Sequence, residues 1–371
     1  MLQTSDLSAY FASALGNVIR EATKAVFKNP KEAAFLLSAA KNNVKSQKLR
    51  DRYEHGGDHI PAFLIASITD ACNLFCTGCY ARANGLCGEQ RETRKEPLLT
   101  AEEWSSVFSQ ARELGVSFVL LAGGEPLLRK DVLEQAAKET ELLFPVFTNG
   151  TLLSGKTFEL LEENRHLIPV VSVEGGEAAT DARRGKGAYG LIREAMGRMR
   201  ESGMLFGASV TVTAENLKEV TSEAFLNELY ALGCRLVFYI EYVPVDVATK
   251  HLAPGEEERC ALQTAMDERR KTHSSMIFLA FPGDEQFMGG CLAAGRGFFH
   301  IGPSGAAEPC PFSPYSDCNV RGKTLLEVLR SPFFKRLREK GLVGGEHDGG
   351  CALFEREAEV KALLANAEVE G

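Results

Sequence analysis

The stretch ITDACNLFCTGCYAR (68–82) holds Cys72, Cys76 and Cys79 within eight positions, with Tyr80 directly after the last. Thiols this dense close a disulfide or hold a metal centre. Zinc takes four ligands, usually in two pairs. Here the spacing is C-x3-C-x2-C, with Cys87 further on and His59 ahead, so a zinc set is open but strained. Three thiolates on one short loop suit a 4Fe–4S cube with one iron left open, and an open iron binds a small molecule. A second group follows late in the chain: Cys291, Cys310, Cys318 and Cys351. It reads as a further metal centre, with zinc or plain buried thiols as alternatives. Cys234, between a helix and a strand, and Cys260, on a helix, read as core residues.

These groups need elements to place them. Apolar, β-rich runs occur at 62–69, 117–122, 144–149, 168–174, 207–213 and 235–243. Helical patterns at 101–114, 131–141, 155–164, 187–203 and 217–232 lie between them. Strands that are apolar throughout and alternate with helices predict an α/β fold with a parallel sheet covered on its faces. Six such units suggest a partial barrel or a wide open sheet, with the active groups at the C-terminal ends of the strands. The first cysteine group falls right after the first strand. Ahead of the barrel, residues 7–52 read as a helical arm, restarted at Asn29 and Pro30. From about 284 the texture turns to Gly, Pro and Cys. A hairpin turning at Pro303 and Gly305 is expected there, then helical segments at 323–340 and 352–368. Three parts follow: an arm (1–58), a barrel (59–283) and a small cysteine-rich unit with a C-terminal helix (284–371).

The chain of 371 residues is 44% apolar, enough for a full core. Its net charge of −8 argues against nucleic acid as a partner. Residues 1–52 hold nine Lys/Arg and four Asp/Glu, a net of +5, so the remainder carries −8 − 5 = −13. No signal-peptide pattern and no membrane-length apolar run is legible. A cytoplasmic location is expected, where ten cysteines read as metal ligands or reactive thiols rather than disulfides. The basic arm, with Lys24, Lys28, Lys31, Lys41, Lys45 and Lys48, would suit either packing on the acidic barrel or peripheral contact with the inner face of an anionic membrane.

The C-x3-C-x2-C loop followed by Tyr80 resembles the cluster loop of radical SAM enzymes. AGGEP (122–126), closing the second strand, resembles that family's GGE motif, which holds the methionine amino group of S-adenosylmethionine (SAM). Gly123 and Gly124 suit close backbone approach there, with Glu125 after them. FTNG ends the third strand with Asn149, and SVEGG ends the fourth with Ser172 and Glu174, where relatives often carry Ser-x-Asp-Gly. TDARRGKGAY (180–189) is similar to the family's Asp-x-x-Arg-Gly stretch, which would turn Arg184 to the SAM carboxylate. The resemblance covers roughly 60–245 and implies a partial (β/α)6 TIM-like barrel. The second cysteine group looks like a SPASM or Twitch unit carrying one auxiliary 4Fe–4S cluster.

By that resemblance the protein is an oxidoreductase- or transferase-type enzyme. A reduced cluster would cleave SAM to a 5′-deoxyadenosyl radical that attacks an unactivated carbon, and a one-electron donor such as ferredoxin or flavodoxin would supply the cluster. Cys87 is a candidate hydrogen-atom donor to a product radical. Glu241 and Tyr242 end the sixth strand as candidate cavity residues, of which alternation should turn one away, with Glu241 as a candidate base. The basic arm points to a lipid or isoprenoid substrate. The alternatives are peptide or protein maturation, and a non-catalytic electron carrier.

Overall fold

The computed structural model describes residues 30–85, 87, 96–273, 275–344 and 350–370. Seven parallel strands form the core: β1 (Phe63–Ser67), β2 (Phe118–Ala122), β3 (Phe144–Thr148), β4 (Leu167–Val173), β5 (Gly207–Val212), β6 (Leu236–Glu241) and β7 (Ile277–Phe281). All six expected strands are present within a residue or two. The seventh, IFLAF, goes beyond the six-strand count. Two short strands, β8 (His300–Ile301) and β9 (Ala307–Glu308), extend the sheet past β1, giving the order β7-β6-β5-β4-β3-β2-β1-β8-β9. β8 runs parallel to β1 and antiparallel to β9. The hairpin between them turns at Gly302–Gly305, with Gly305 at a φ of 93°. The cysteine-rich unit is thus hydrogen-bonded onto the edge of the barrel sheet. Every residue of β1 is buried, as a strand covered on both faces requires.

Helices cover the outside. α2 (Ala101–Leu114) starts with a capping box from Thr100 and Glu103 and ends at Gly115, whose φ is 88°. α3 (Lys130–Ala136), α4 (Gly155–Glu163), α5 (Glu177–Arg184), α6 (Ala188–Glu201), α7 (Glu223–Ala231) and α8 (Glu256–Thr272) follow in turn. The predicted helix 323–340 is two, α9 (Leu325–Leu329) and α10 (Pro332–Glu339), because Pro332 starts a new helix with Ser331 as its cap.

The described part of the arm is one helix, α1 (Pro30–His55). Its buried residues are Glu32, Leu36, Ala39, Asn43, Ser46 and Arg50, a stripe at spacings of three and four. Leu36 and Ala39 share a cluster with Leu143, Ile168, Leu205 and Leu236, at or beside the N-terminal ends of β3–β6. Arg165 pairs with Glu32 at 3.3 Å, and Arg50 donates to Ser117 Oγ at 2.9 Å. Lys45 pairs with Glu141 at 2.6 Å. α1 therefore seals the end of the barrel opposite the strand C-termini. Of the two readings of the arm, packing holds for residues 30–55; the stretch before them lies outside the described residues. No helix among the described residues is long and apolar enough to cross a membrane. Leu36→Ala is expected to cost about 2–4 kcal/mol, and Leu37→Ala, at a position 69% exposed, under about 0.5 kcal/mol. Urea denaturation of the metal-free protein checks both.

Candidate active site at the strand C-termini

The loop after β1 carries Cys72, Cys76 and Cys79, and the strand ends around it fix its backbone. Gly124 N donates to Thr69 O at 2.9 Å and Glu125 N to Ala71 O at 2.8 Å, so the GGE turn after β2 is laced to the base of the cysteine loop. The two glycines permit this. Gly123 sits at a φ of 128° beside Thr69, and a Cβ on Gly124 would lie 2.5 Å from the carbonyl carbon of Ala71. The close approach they allow is to the cysteine-loop backbone. On the other side, Thr77 N donates to Arg183 O at 3.0 Å, and Arg183 Nε to Thr77 O at 3.2 Å.

Glu125 is 1% exposed. Its carboxylate takes Thr148 Oγ1 and Asn149 N, both at 2.7 Å, and Leu127 N at 3.1 Å. Burial nevertheless pushes its carboxyl up to about 7, against the pull of these donors. Asn149 donates from Nδ2 to Asn73 Oδ1 at 2.9 Å, tying β3 to the residue after Cys72. Ser172 is half-buried on β4. Glu174, 2% exposed at the end of β4, accepts on Oε1 from Arg183 Nη1 at 2.6 Å and Arg184 Nε at 2.9 Å. Its Oε2 is buried and has no partner among the described residues. Arg184, expected to face the SAM carboxylate, is paired instead with Glu174 of the chain itself, and Arg183, which the motif reading passed over, shares the same oxygen.

Cys72 and Cys87 are hydrogen-bonded. That bond lowers the Cys72 thiol to about 6 and raises that of Cys87. Burial raises Cys76, with Arg184 and Arg183 pulling the other way. Tyr242 is buried against Gly78 of the cysteine loop, where a Cβ would come within 2.9 Å of its ring. Its neighbour Glu241 serves a different partner, accepting from Gly350 N at 3.1 Å beside Cys351. The end of β6 alternates, with Tyr242 toward the first cysteine group and Glu241 toward the second. Tyr80 stacks edge-on against Phe312 at 4.9 Å, and Phe312 lines the second cysteine site, so these rings bridge the two groups.

Cys291, Cys310 and Cys351 line one pocket together with Glu285 and Phe312. Cys310 and Cys351 are hydrogen-bonded, and burial pushes Cys291 and Cys310 far up. Cys318 is not part of this lining. Its carbonyl accepts from Ala307 N at 3.0 Å, beside the β8–β9 hairpin, and its thiol sits next to Asp317, pushed up to about 12 by burial and then by that carboxylate. Cys234 is buried in the core as expected, donating to Leu236 O at 3.1 Å. Cys260 is exposed on α8 rather than in the core. Among the described residues no three His, Cys, Asp or Glu side chains are set for a single metal ion.

The residues fit a cluster with SAM beside it. Three thiols share one loop, a glycine-bearing turn is hydrogen-bonded to its base, and a buried carboxylate oxygen nearby has no protein donor. Fold and site together define an iron–sulfur enzyme on a parallel α/β partial barrel. Residues 66–225 match the model of the Radical SAM superfamily, so the chain carries a radical SAM domain, the kind that uses a 4Fe–4S cluster and SAM. The AdoMet-dependent heme synthase of Methanosarcina barkeri is 27% identical over 322 residues, spanning 80% of this chain and 88% of the relative. The PqqA peptide cyclase of Rhizobium meliloti is 28% identical over 299 residues, 76% of this chain and 72% of the relative. SuiB of Streptococcus suis, solved with its precursor peptide SuiA, shares the fold with a TM-score of 0.63 at 18% identity, covering 87% of this chain and 77% of SuiB.

Proposed function

We propose that this enzyme modifies a peptide at carbon. The observation that supports a peptide is the 28% identity to a peptide cyclase across 76% of the chain. The lipid expectation rested on the basic arm, and the described part of that arm is packed against the barrel. A tetrapyrrole is the second reading, favoured by the similarity to a heme synthase.

Cys72, Cys76 and Cys79 would hold the first cluster, with Tyr80 beside them, and Cys291, Cys310 and Cys351 an auxiliary one. Gly123, Gly124, Glu125, Asn149, Ser172, Glu174 and Arg184 would receive SAM. Bound together, cluster and SAM supply one-electron cleavage and hydrogen-atom abstraction. The chain's own part is to orient and to exclude water: Glu125 would take the methionine ammonium of SAM, Arg183 and Arg184 fix the Glu174 carboxylate, and Tyr242 packs the cysteine loop. Glu241 acts by holding the segment before Cys351, and Cys87 is placed as a thiol in contact with Cys72. A ferredoxin or flavodoxin is the expected electron donor.

The test uses reconstituted, dithionite-reduced protein with SAM, given a synthetic peptide library, an iron porphyrin or lipid vesicles. Peptide-stimulated 5′-deoxyadenosine with a mass change in a peptide supports the proposal. Stimulation by porphyrin alone would replace it with the second reading, and stimulation by vesicles alone would restore the lipid. SAM affinity is also expected to weaken as pH falls through about 7, because the Glu125 carboxyl then gains the proton that burial favours. Equilibrium dialysis at pH 6 and pH 8 reads this, and Glu125→Gln should bind weakly at both.

A further inference from the structure

We propose that the auxiliary pocket holds its cluster through Cys291, Cys310 and Cys351 with the Glu285 carboxylate as fourth ligand, and that Cys318 takes no part. The assignment rests on the auxiliary-cluster reading of this pocket. Two independent placements carry it. Cys318, the fourth cysteine of the group, is absent from the lining, and Glu285 is in it. Cys318 is also committed elsewhere, its backbone to the β8–β9 hairpin and its thiol to the side of Asp317.

Glu285 is 2% exposed, in the turn Gly283–Met288 after β7. A carboxylate so buried holds a proton, or meets a counter-charge or a metal. No salt bridge reaches it among the described residues. The nearest guanidinium, Arg296, spends Nη1 on the carbonyls of Gly290 and Cys291, at 2.8 and 3.1 Å. Leu292 N donates to Glu285 Oε1 at 2.9 Å. That bond anchors the carboxylate beside Cys291 and leaves it lone pairs for a further partner. A cluster iron in the pocket would take this carboxylate as a ligand, in place of the proton that burial favours. Glu241, another buried carboxylate nearby, has its Oε2 on Gly350 N and is not in the lining. The competing role for Glu285 is a strut that only holds the Cys291 segment through Leu292.

The experiment uses the full chain with Cys72→Ala, Cys76→Ala and Cys79→Ala, so that only the auxiliary site can load. Reconstituted, this parent should carry about four irons and the spectrum of a reduced cluster; no iron would sink the auxiliary-cluster reading and the assignment with it. Cys318→Ser in this background should keep the iron and the paramagnetic resonance spectrum. Loss of iron there overturns the assignment. Glu285→Gln keeps an acceptor for Leu292 N but removes the charge, and should shift the g-values of the reduced cluster or lose iron. An unchanged spectrum with full iron overturns the ligand role. Loss of iron supports it when the metal-free melting temperature is unchanged, and overturns it in favour of the strut when that temperature falls too. None of these readouts involves the peptide, so failure here is distinct from failure of the substrate proposal.

Discussion

Gly124→Ala is expected to cut 5′-deoxyadenosine formation by about 100-fold or more, the scale of loss that a displacement near 1 Å produces at a reacting centre. The added methyl would stand 2.5 Å from the Ala71 carbonyl carbon and 3.1 Å from Cys72 N. Both neighbours are backbone, so no side chain can swing away to make room. The turn after β2 and the base of the cysteine loop must separate, and the bonds from Gly124 to Thr69 and from Glu125 to Ala71 go with the separation. Because Cys72 is the first thiol of the loop, the displacement reaches the cluster and the carboxylate at once. The fold itself should survive, since the change is confined to two loops above the sheet. Gly190→Ala is the control: Gly190 is exposed on α6 with nothing near a new Cβ, and the change should leave the rate alone. Product quantified by chromatography on protein of matched iron content checks both. Activity near wild type in Gly124→Ala would mean that the two loops are not rigidly coupled.

That coupling explains why so much of the first site was legible in the sequence. Parallel strands buried on both faces are apolar runs bounded by helices, so β1 to β6 announced themselves, and the residue after each run had to lie on the active rim. Strand ends put Cys72, Gly124, Asn149, Glu174 and Tyr242 on that rim, and the family resemblance singled out the first four. β7 was missed because IFLAF follows α8, whose sequence EEERCALQTAMDERRKT is so polar that its apolar face reduces to Leu262 and Met266. A lone apolar run after such a stretch has no alternation to mark it. The α1 stripe was hidden for a related reason. Four of its six buried residues are polar, and the barrel supplies their partners. A count of lysines sees the exposed face only, and so the arm read as a membrane candidate.

The second cysteine group shows the limit more sharply. Cys310 and Cys318 are close in sequence, yet one lines the pocket and the other flanks the hairpin, because the chain between them turns at Cys310–Ser313 and returns to pair with Ala307. Glu285 and Cys351 reach the same pocket from β7 and from near the C-terminus. No spacing rule joins residues that the sheet and the C-terminal helices bring together.

Glu174→Ala is expected to destabilise the metal-free protein by about 3–5 kcal/mol, the cost of leaving buried charge without its partner, and to abolish SAM binding. Glu174 Oε1 is the shared acceptor of Arg183 and Arg184, whose side chains are 17% and 10% exposed. Without it two guanidinium groups face each other across a low-dielectric gap. Arg183 also donates to Thr211 Oγ1 at 2.9 Å and to Thr77 O at 3.2 Å, so its displacement disturbs the loop between Cys76 and Cys79. Glu174→Gln should lose less, since an amide oxygen can still accept from one arginine, but the pair of positive charges remains uncompensated. The second oxygen separates structure from function. Oε2 is buried with no donor, which by itself costs about 1–3 kcal/mol, and a ligand hydroxyl reaching it would recover that. SAM should therefore raise the melting temperature of the wild type and not that of either variant. Urea denaturation without SAM and thermal melting with it measure the two halves apart. A Glu174→Ala protein as stable as wild type would show that the arginine pair contributes nothing net. One that is destabilised yet still bound and stabilised by SAM would make Glu174 a strut for α5, and the buried oxygen would need another explanation.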